Sequence, residues 1–229
     1  MTFSILARDP DSGVLGGAAA TGSLCVGGWV LRGDSRVGLS AAQGAAPSTM
    51  WGEDALAGLH AGRSAAETVA QVTQGDPGRD WRQLAVLDRA GGSAAHTGCR
   101  NTGWRGAITA PGLVASGNLL AGPQVLAALR DTFLATGGTM AERLLAALAA
   151  AAAAGGDSRG LQSAALLVLS DDAPPLSLRI DWSDDPLAAL VDLHRRSRTG
   201  AYAAWLPEVP TRRDPGRPQG RAEAAQPPS

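Results

Sequence analysis

Residues 162–170, QSAALLVLS, are apolar at nearly every position. A strand with one face in water alternates polar and apolar residues, whereas an unbroken apolar run marks a strand covered on both faces. Such a strand needs a further layer on each side of its sheet, and the rest of the chain must supply those layers. Working outward from this stretch shows that it does.

Just upstream, "TMAERLLAALAAAAAA" (139–154) reads as a helix that stops at Gly155-Gly156. Thr139 with Glu142 makes a capping box at its start. Its alanine run has high helix propensity and a small cross-section, suited to close packing. A helix over 123–136, with Pro123 in its first turn, precedes it. Further back come strands at about 82–89 (RQLAVLDR), 92–97 (GSAAHT) and 107–118 (AITAPGLVASGN), the last broken by Pro111 and Gly112. Before them lie two helical stretches, "WGEDALAGLHAG" and "SAAETVAQVTQ", the second opened by a capping box of Ser64 and Glu67. The chain starts with strands at about 2–8 and 14–22 across the turn "DPDSG", and a third at about 36–43. Downstream of 162–170 come a strand at 176–182 and a helix at 185–197.

Runs of strands separated by pairs of helices do not fit parallel βαβ winding, in which single elements alternate. They fit an α+β architecture: a four-layer αββα sandwich of two mostly antiparallel sheets between helix layers. One domain over residues 1–205 is expected. Residues 206–229, Pro- and Arg-rich with almost no apolar content, read as a mobile tail.

Composition removes several function classes. The chain has 229 residues, 45% of them hydrophobic, and a formal net charge of −1. Its arginines are spread along the sequence and form no basic stripe, so no nucleic-acid partner is expected. His60, His96 and His194 are far apart in sequence, and neither metal nor cofactor is expected. Cys25 and Cys99 are the only cysteines and read as reduced. No apolar run approaches the length of a membrane span, and a cytoplasmic protein is the expectation. All 20 basic residues are arginine. A lysine base, a Schiff base and a P-loop lysine are therefore excluded.

Thr2 stands directly behind the initiator methionine. If Met1 is trimmed, Thr2 carries a hydroxyl nucleophile and an α-amine that titrates near 8, nucleophile and base in one residue. The alternative is a β-branched residue opening an edge strand. Gln43 and Asn118 each end an apolar strand beside glycine, where an amide can hydrogen-bond loop backbone or serve as an oxyanion or substrate donor. His96, among small residues, reads as a core or cross-strand histidine. Ser40 in "GLSAA" falls one residue short of a nucleophile elbow. Trp29, Trp51, Trp81 and Trp104 fall near element ends and read as packing residues.

The phrases "MTFSILARDP", "DPGRDWRQLAVLD", "AAHTG", "GNLLAGPQVL" and "GGDSRGLQSAALLV" resemble the family known as domain of unknown function 1028, over essentially residues 1–200. The element order resembles the N-terminal-nucleophile hydrolases, the fold of proteasome β-subunits. That resemblance implies Thr2 as nucleophile, Arg36 as the positive charge at the head of the third strand, and Asp157 as an acidic residue near the nucleophile. It also implies substrate contacts from Arg159, which can clamp a substrate carboxylate bidentately, and from Ser163, with oxyanion donors at the backbone N–H groups around Gly44 and Ala45. The chain departs from the proteasome pattern by having no lysine and by placing alanines where the second-strand aspartate is expected. An amidohydrolase acting on a small-molecule or peptide amide is the first expectation, and a non-catalytic binding or assembly protein on the same fold is the second. Sandwiches of this kind often self-associate through their helix layers, so a homo-oligomer is expected.

Overall fold

The structure is a computed structural model that describes residues 2–156 and 159–217. Its elements are β1 (Thr2–Arg8), β2 (Leu15–Thr21), the single turn α1 (Val26–Trp29), β3 (Leu31–Asp34), β4 (Gly38–Gly44), α2 (Thr49–His60) and α3 (Ala65–Gln74). Then follow β5 (Arg82–Asp88), β6 (Ser93–Thr97), β7 (Trp104–Ala110), β8 (Leu113–Leu120), α4 (Gln124–Ala135) and α5 (Met140–Ala153). The last are β9 (Ser163–Leu169), β10 (Leu176–Ile180), α6 (Pro186–Ser197) and α7 (Gly200–Trp205). One sheet runs β10-β9-β2-β1-β8-β7 and the other β3-β4-β5-β6, with every pairing antiparallel.

Three apolar cores separate four layers. Phe3, Ile5, Leu126, Leu129, Leu144 and Leu148 fill the space between the six-stranded sheet and its helices. Leu6, Leu39, Leu87 and Val114 lie between the two sheets. Trp51, Leu59, Val69, Leu84 and Val86 join the four-stranded sheet to α2 and α3. Each fully buried leucine in these layers contributes about 1.5–3 kcal/mol. The chain is thus the α+β sandwich expected from its sequence, and 162–170 is the doubly covered strand β9.

Local chemistry explains the elements. Both capping boxes form, Ser64 with Glu67 and Thr139 with Glu142. The alanines of α5 let that helix approach β2 closely. A Cβ placed on Gly16 would lie 2.4 Å from Met140 Cγ, so only glycine fits beneath the helix start. The stretch 107–118 is two strands, not one broken strand. Pro111 and Gly112 form the turn of the β7–β8 hairpin, with Gly112 at φ +72°. The short β3 and α1 are absent from the sequence reading because four-residue elements carry no measurable periodicity. Residues 206–217 lie along the body: Arg213 N–H donates to the Asp171 carbonyl at 3.0 Å, and Arg212 Nε donates to Ser35 Oγ at 2.8 Å. Residues 218–229 lie outside the described residues.

Candidate functional site

Strand register sorts the inward-facing residues of the inter-sheet layer into rows. One row holds Thr2, Thr21, Asn118 and Ser163 from the first sheet and Gln43, Gln83 and Thr97 from the second. The next row is small: Ser4, Ala19, Ser116 and Ala165 facing Ala41 and Ala85. The third is bulky, with Leu6, Val114 and Leu167 facing Leu39 and Leu87. The space between the sheets is therefore greasy at one end and polar at the end where the chain begins.

The polar end is a connected hydrogen-bond network. Gln43 Nε2 donates to Gln83 Oε1 at 2.7 Å and lies 3.4 Å from Ser116 Oγ and 3.5 Å from the Thr2 carbonyl oxygen. Asn118 Nδ2 donates to the same Gln83 oxygen at 3.3 Å. Gln83 Nε2 donates to Thr97 Oγ1 and to the Gly106 and Gly117 carbonyls at 2.9–3.1 Å. Ser4 and Ser116 share a hydroxyl contact of 3.1 Å. Gln83 is thus the hub, and its amide is fully buried. Gln43 Oε1 is buried with no partner among the described residues, a situation that costs about 1–3 kcal/mol.

Thr2 sits where this network meets a cleft of about 540 Å³. Its side chain is nearly buried, and its hydroxyl donates to Thr21 Oγ1 at 3.1 Å. Thr2, Gln43, Gly44 and Arg159, all anticipated from sequence, line this one cleft. Gly44 adopts φ +134°, and a Cβ there would meet the Trp81 carbonyl oxygen at 2.6 Å.

The other anticipated residues stand elsewhere. Asn118 is buried and bonded to Gln83 rather than lining the cleft. Ser163 is also buried: its Oγ donates to the Ser23 carbonyl at 2.7 Å and accepts from Val26 N–H at 3.1 Å. It fastens the 23–26 turn rather than facing a substrate. Ala45 N–H is committed to Asn101 Oδ1 at 2.8 Å, which removes it as an oxyanion donor. Arg36 does not reach Thr2. It forms an ion pair with Asp34 beyond the opposite end of β4, about 17 Å along the strand from Gln43 to Gly38. Asp34 captures it because the two flank a tight turn, and the Arg36 hydrogen bonds, aided by Arg212, hold the Asp34 carboxyl far below the usual range. Asp157 lies outside the described residues.

Sequence reading passed over Gln83, Ser4, Ser116 and Thr21. Their signal is parity: each is a polar residue two or four positions along its strand from an inward-facing small or apolar one. The packing role expected of the tryptophans holds for Trp51, which is buried and meets the His96 ring edge-on at 5.8 Å. Trp29 instead projects at the cleft, 52% exposed. Both cysteines are free thiols. Among the described residues no grouping of His, Cys, Asp or Glu could hold a metal ion, and no helix is long and apolar enough to cross a membrane.

Fold and site together define a two-sheet αββα protein with a polar-floored cleft at Thr2. The chain belongs to the family of unknown function DUF1028, whose model matches residues 2–190. It is similar to the crystal structure of protein SPO2555 from Silicibacter pomeroyi, a DUF1028 structure, with 52% identity, a TM-score of 0.91 and 95% of each chain covered. No curated protein matches it.

Proposed function

We propose that the protein is an N-terminal-nucleophile amidohydrolase acting on a small-molecule or peptide amide. Removal of Met1 frees the Thr2 α-amine, which takes the proton from Thr2 Oγ as that oxygen attacks the amide carbonyl carbon. The resulting ammonium gives its proton to the leaving amine as the C–N bond breaks, leaving an acyl ester on Thr2 that water then hydrolyses. The observation that carries this reading is the position of Thr2: at the head of β1, in a cleft wall, with its hydroxyl held by Thr21. Gln43 Oε1 offers an acceptor for the ammonium beside the Thr2 main chain.

Intact-mass spectrometry tests the first step, with a chain lighter by one methionine expected. Thr2→Ala should then lower turnover of an amide found in a substrate screen by roughly 10³-fold or more while the melting temperature holds. Retention of Met1 in a host able to remove it would sink the mechanism.

A second reading, a binding protein that keeps the scaffold without the chemistry, has one observation in its favour. Among the described residues, no carboxylate or cation hydrogen-bonds to the Thr2 hydroxyl, whose partner is Thr21. Met1 retained together with saturable ligand binding in the cleft would establish it.

A further inference from the structure

The cleft around Thr2 has walls of a different character from its floor. Leu24 and Trp29 line it while 53% and 52% exposed, and Val26, Val30, Pro47 and Leu119 line it as well. Among its described lining residues, Arg159 is the only ionisable one. Monomeric surfaces expose such large apolar groups singly, whereas a concave cluster beside polar groups marks a recognition site.

The backbone around these residues is also unusual. Cys25 at φ +60° and Leu119 at φ +58° are the only non-glycine residues with positive φ among the described residues. A side chain in that region strains the backbone, and a branched leucine there is a true outlier. Leu119 lines the cleft itself, and Cys25 caps α1, the turn that carries Leu24 and Trp29 on either side. The strained turn is held by three hydrogen bonds to two residues. Cys25 N–H donates to the Asp181 carbonyl at 3.0 Å, Ser163 Oγ accepts from Val26 N–H, and the same Oγ donates to the Ser23 carbonyl. These ties keep two large apolar side chains at the mouth of the cleft instead of in the core.

We infer that Leu24 and Trp29 are specificity-determining residues that select an amide bearing an uncharged apolar group, of about the size of a benzyl or isobutyl side chain, over a small polar one. The inference rests on the reading of Thr2 as the reacting residue for the ligand's being an amide. The apolar selectivity itself comes from the walls. A cleft of about 540 Å³ has room for such a group together with the amide. The inward polar row beneath supplies hydrogen-bonding groups near the amide, and the apolar walls take the side chain.

The test is equilibrium binding rather than turnover, which separates this inference from the nucleophile reading. Titration calorimetry would compare N-acetyl-phenylalaninamide, N-acetyl-leucinamide and N-acetyl-serinamide on the wild-type protein. The two apolar amides should bind about tenfold or more tighter than the serine amide. Trp29→Ala and Leu24→Ser should each lower apolar-amide affinity several-fold to tenfold. Trp205→Ala, at an equally exposed tryptophan on α7, should leave it unchanged. Leu24→Ser serves if Trp29→Ala fails to fold, and the wild-type comparison needs no variant at all. Equal or tighter binding of the serine amide, binding of none of the three, or indifference to both wall substitutions would overturn the inference. Selective apolar binding with Met1 retained and no hydrolysis would sink only the nucleophile mechanism.

Discussion

The two ends of the inter-sheet layer are built by the same strands, four residues apart, yet they obey different physics. At one end Leu6, Leu39, Leu87 and Val114 are packed without polar atoms between the sheets. At the other, Thr2, Gln43, Gln83 and Asn118 fill the equivalent positions, with Ser116 in the row between, and hold the sheets together by shared hydrogen bonds. An apolar layer is stable in proportion to buried area, whereas a buried polar network is sound only as far as its partners are matched. Here Gln43 Oε1 is left over, beside Thr2. A sandwich selected for stability alone would have extended the leucines to both ends. The polar end is where this molecule departs from that, and the departure coincides with the cleft.

The largest effect should come from breaking the apolar end. Leu39 is fully buried between β4 and its neighbours. Leu39→Ala should cost about 2–5 kcal/mol in denaturant unfolding, through lost transfer energy and the cavity left behind. Apolar-amide affinity should be unchanged under native conditions, because the site lies about 13 Å away along β4, from Leu39 to Gln43. A loss of binding in the folded variant would show that the ends are coupled.

The polar end should fail differently. Gln83→Leu keeps the volume but removes the acceptor shared by Gln43 and Asn118 and the donor to Thr97 and two carbonyls. Leaving those groups unpaired should cost about 1–3 kcal/mol. In contrast to Leu39→Ala, it should also weaken binding or turnover, since Gln43 loses its anchor. Unchanged activity would reduce the network to scaffolding.

This contrast also explains what could be seen in the sequence. The apolar run 162–170, the two capping boxes and the alternation of strand runs with helix pairs are local signals, and they gave the four layers correctly. Thr2, Gln43 and Gly44 were visible because each sits at the end of a recognisable strand. Gln83 was not, because its importance depends on which strand lies opposite. A glutamine one residue into "RQLAVLD" looks like any strand-edge polar residue until pairing aligns it with Gln43. Arg36 was misplaced for the converse reason. Its sequence position fits a catalytic cation, but Asp34, two residues away, offers it a nearer partner.

A smaller effect should appear at the apolar end on acidification. Asp34 meets Arg36, Arg212 and the His60 ring there, and the Arg36 hydrogen bonds, with the Arg212 charge, keep its carboxyl far below the ordinary range. A folded pKa below the unfolded one gives stability that is present above about pH 4, the unfolded value, and lost as pH falls through the folded value. Asp34→Asn should therefore lower stability by about 1 kcal/mol at pH 7 and flatten the acid limb of the stability curve. The described lining of the cleft contains no carboxylate, so substitutions there should leave that limb unaltered. A steeper acid limb in the Asn variant would reverse the assignment.

The smallest effect isolates one contact in the polar row. Ser4 and Ser116 face each other across β1 and β8 with their oxygens 3.1 Å apart, both buried. Removing either hydroxyl strands the other, whereas removing both leaves two methyl groups of nearly the same shape. The double variant Ser4→Ala with Ser116→Ala should therefore be less destabilised than the sum of its singles, by about 0.5–1 kcal/mol in a double-mutant cycle. Ser116 Oγ also lies 3.4 Å from Gln43 Nε2, so Ser116→Ala should be the costlier single change. Perfect additivity would mean that each hydroxyl is satisfied independently, and the polar end would then be a collection of separate bonds rather than a network.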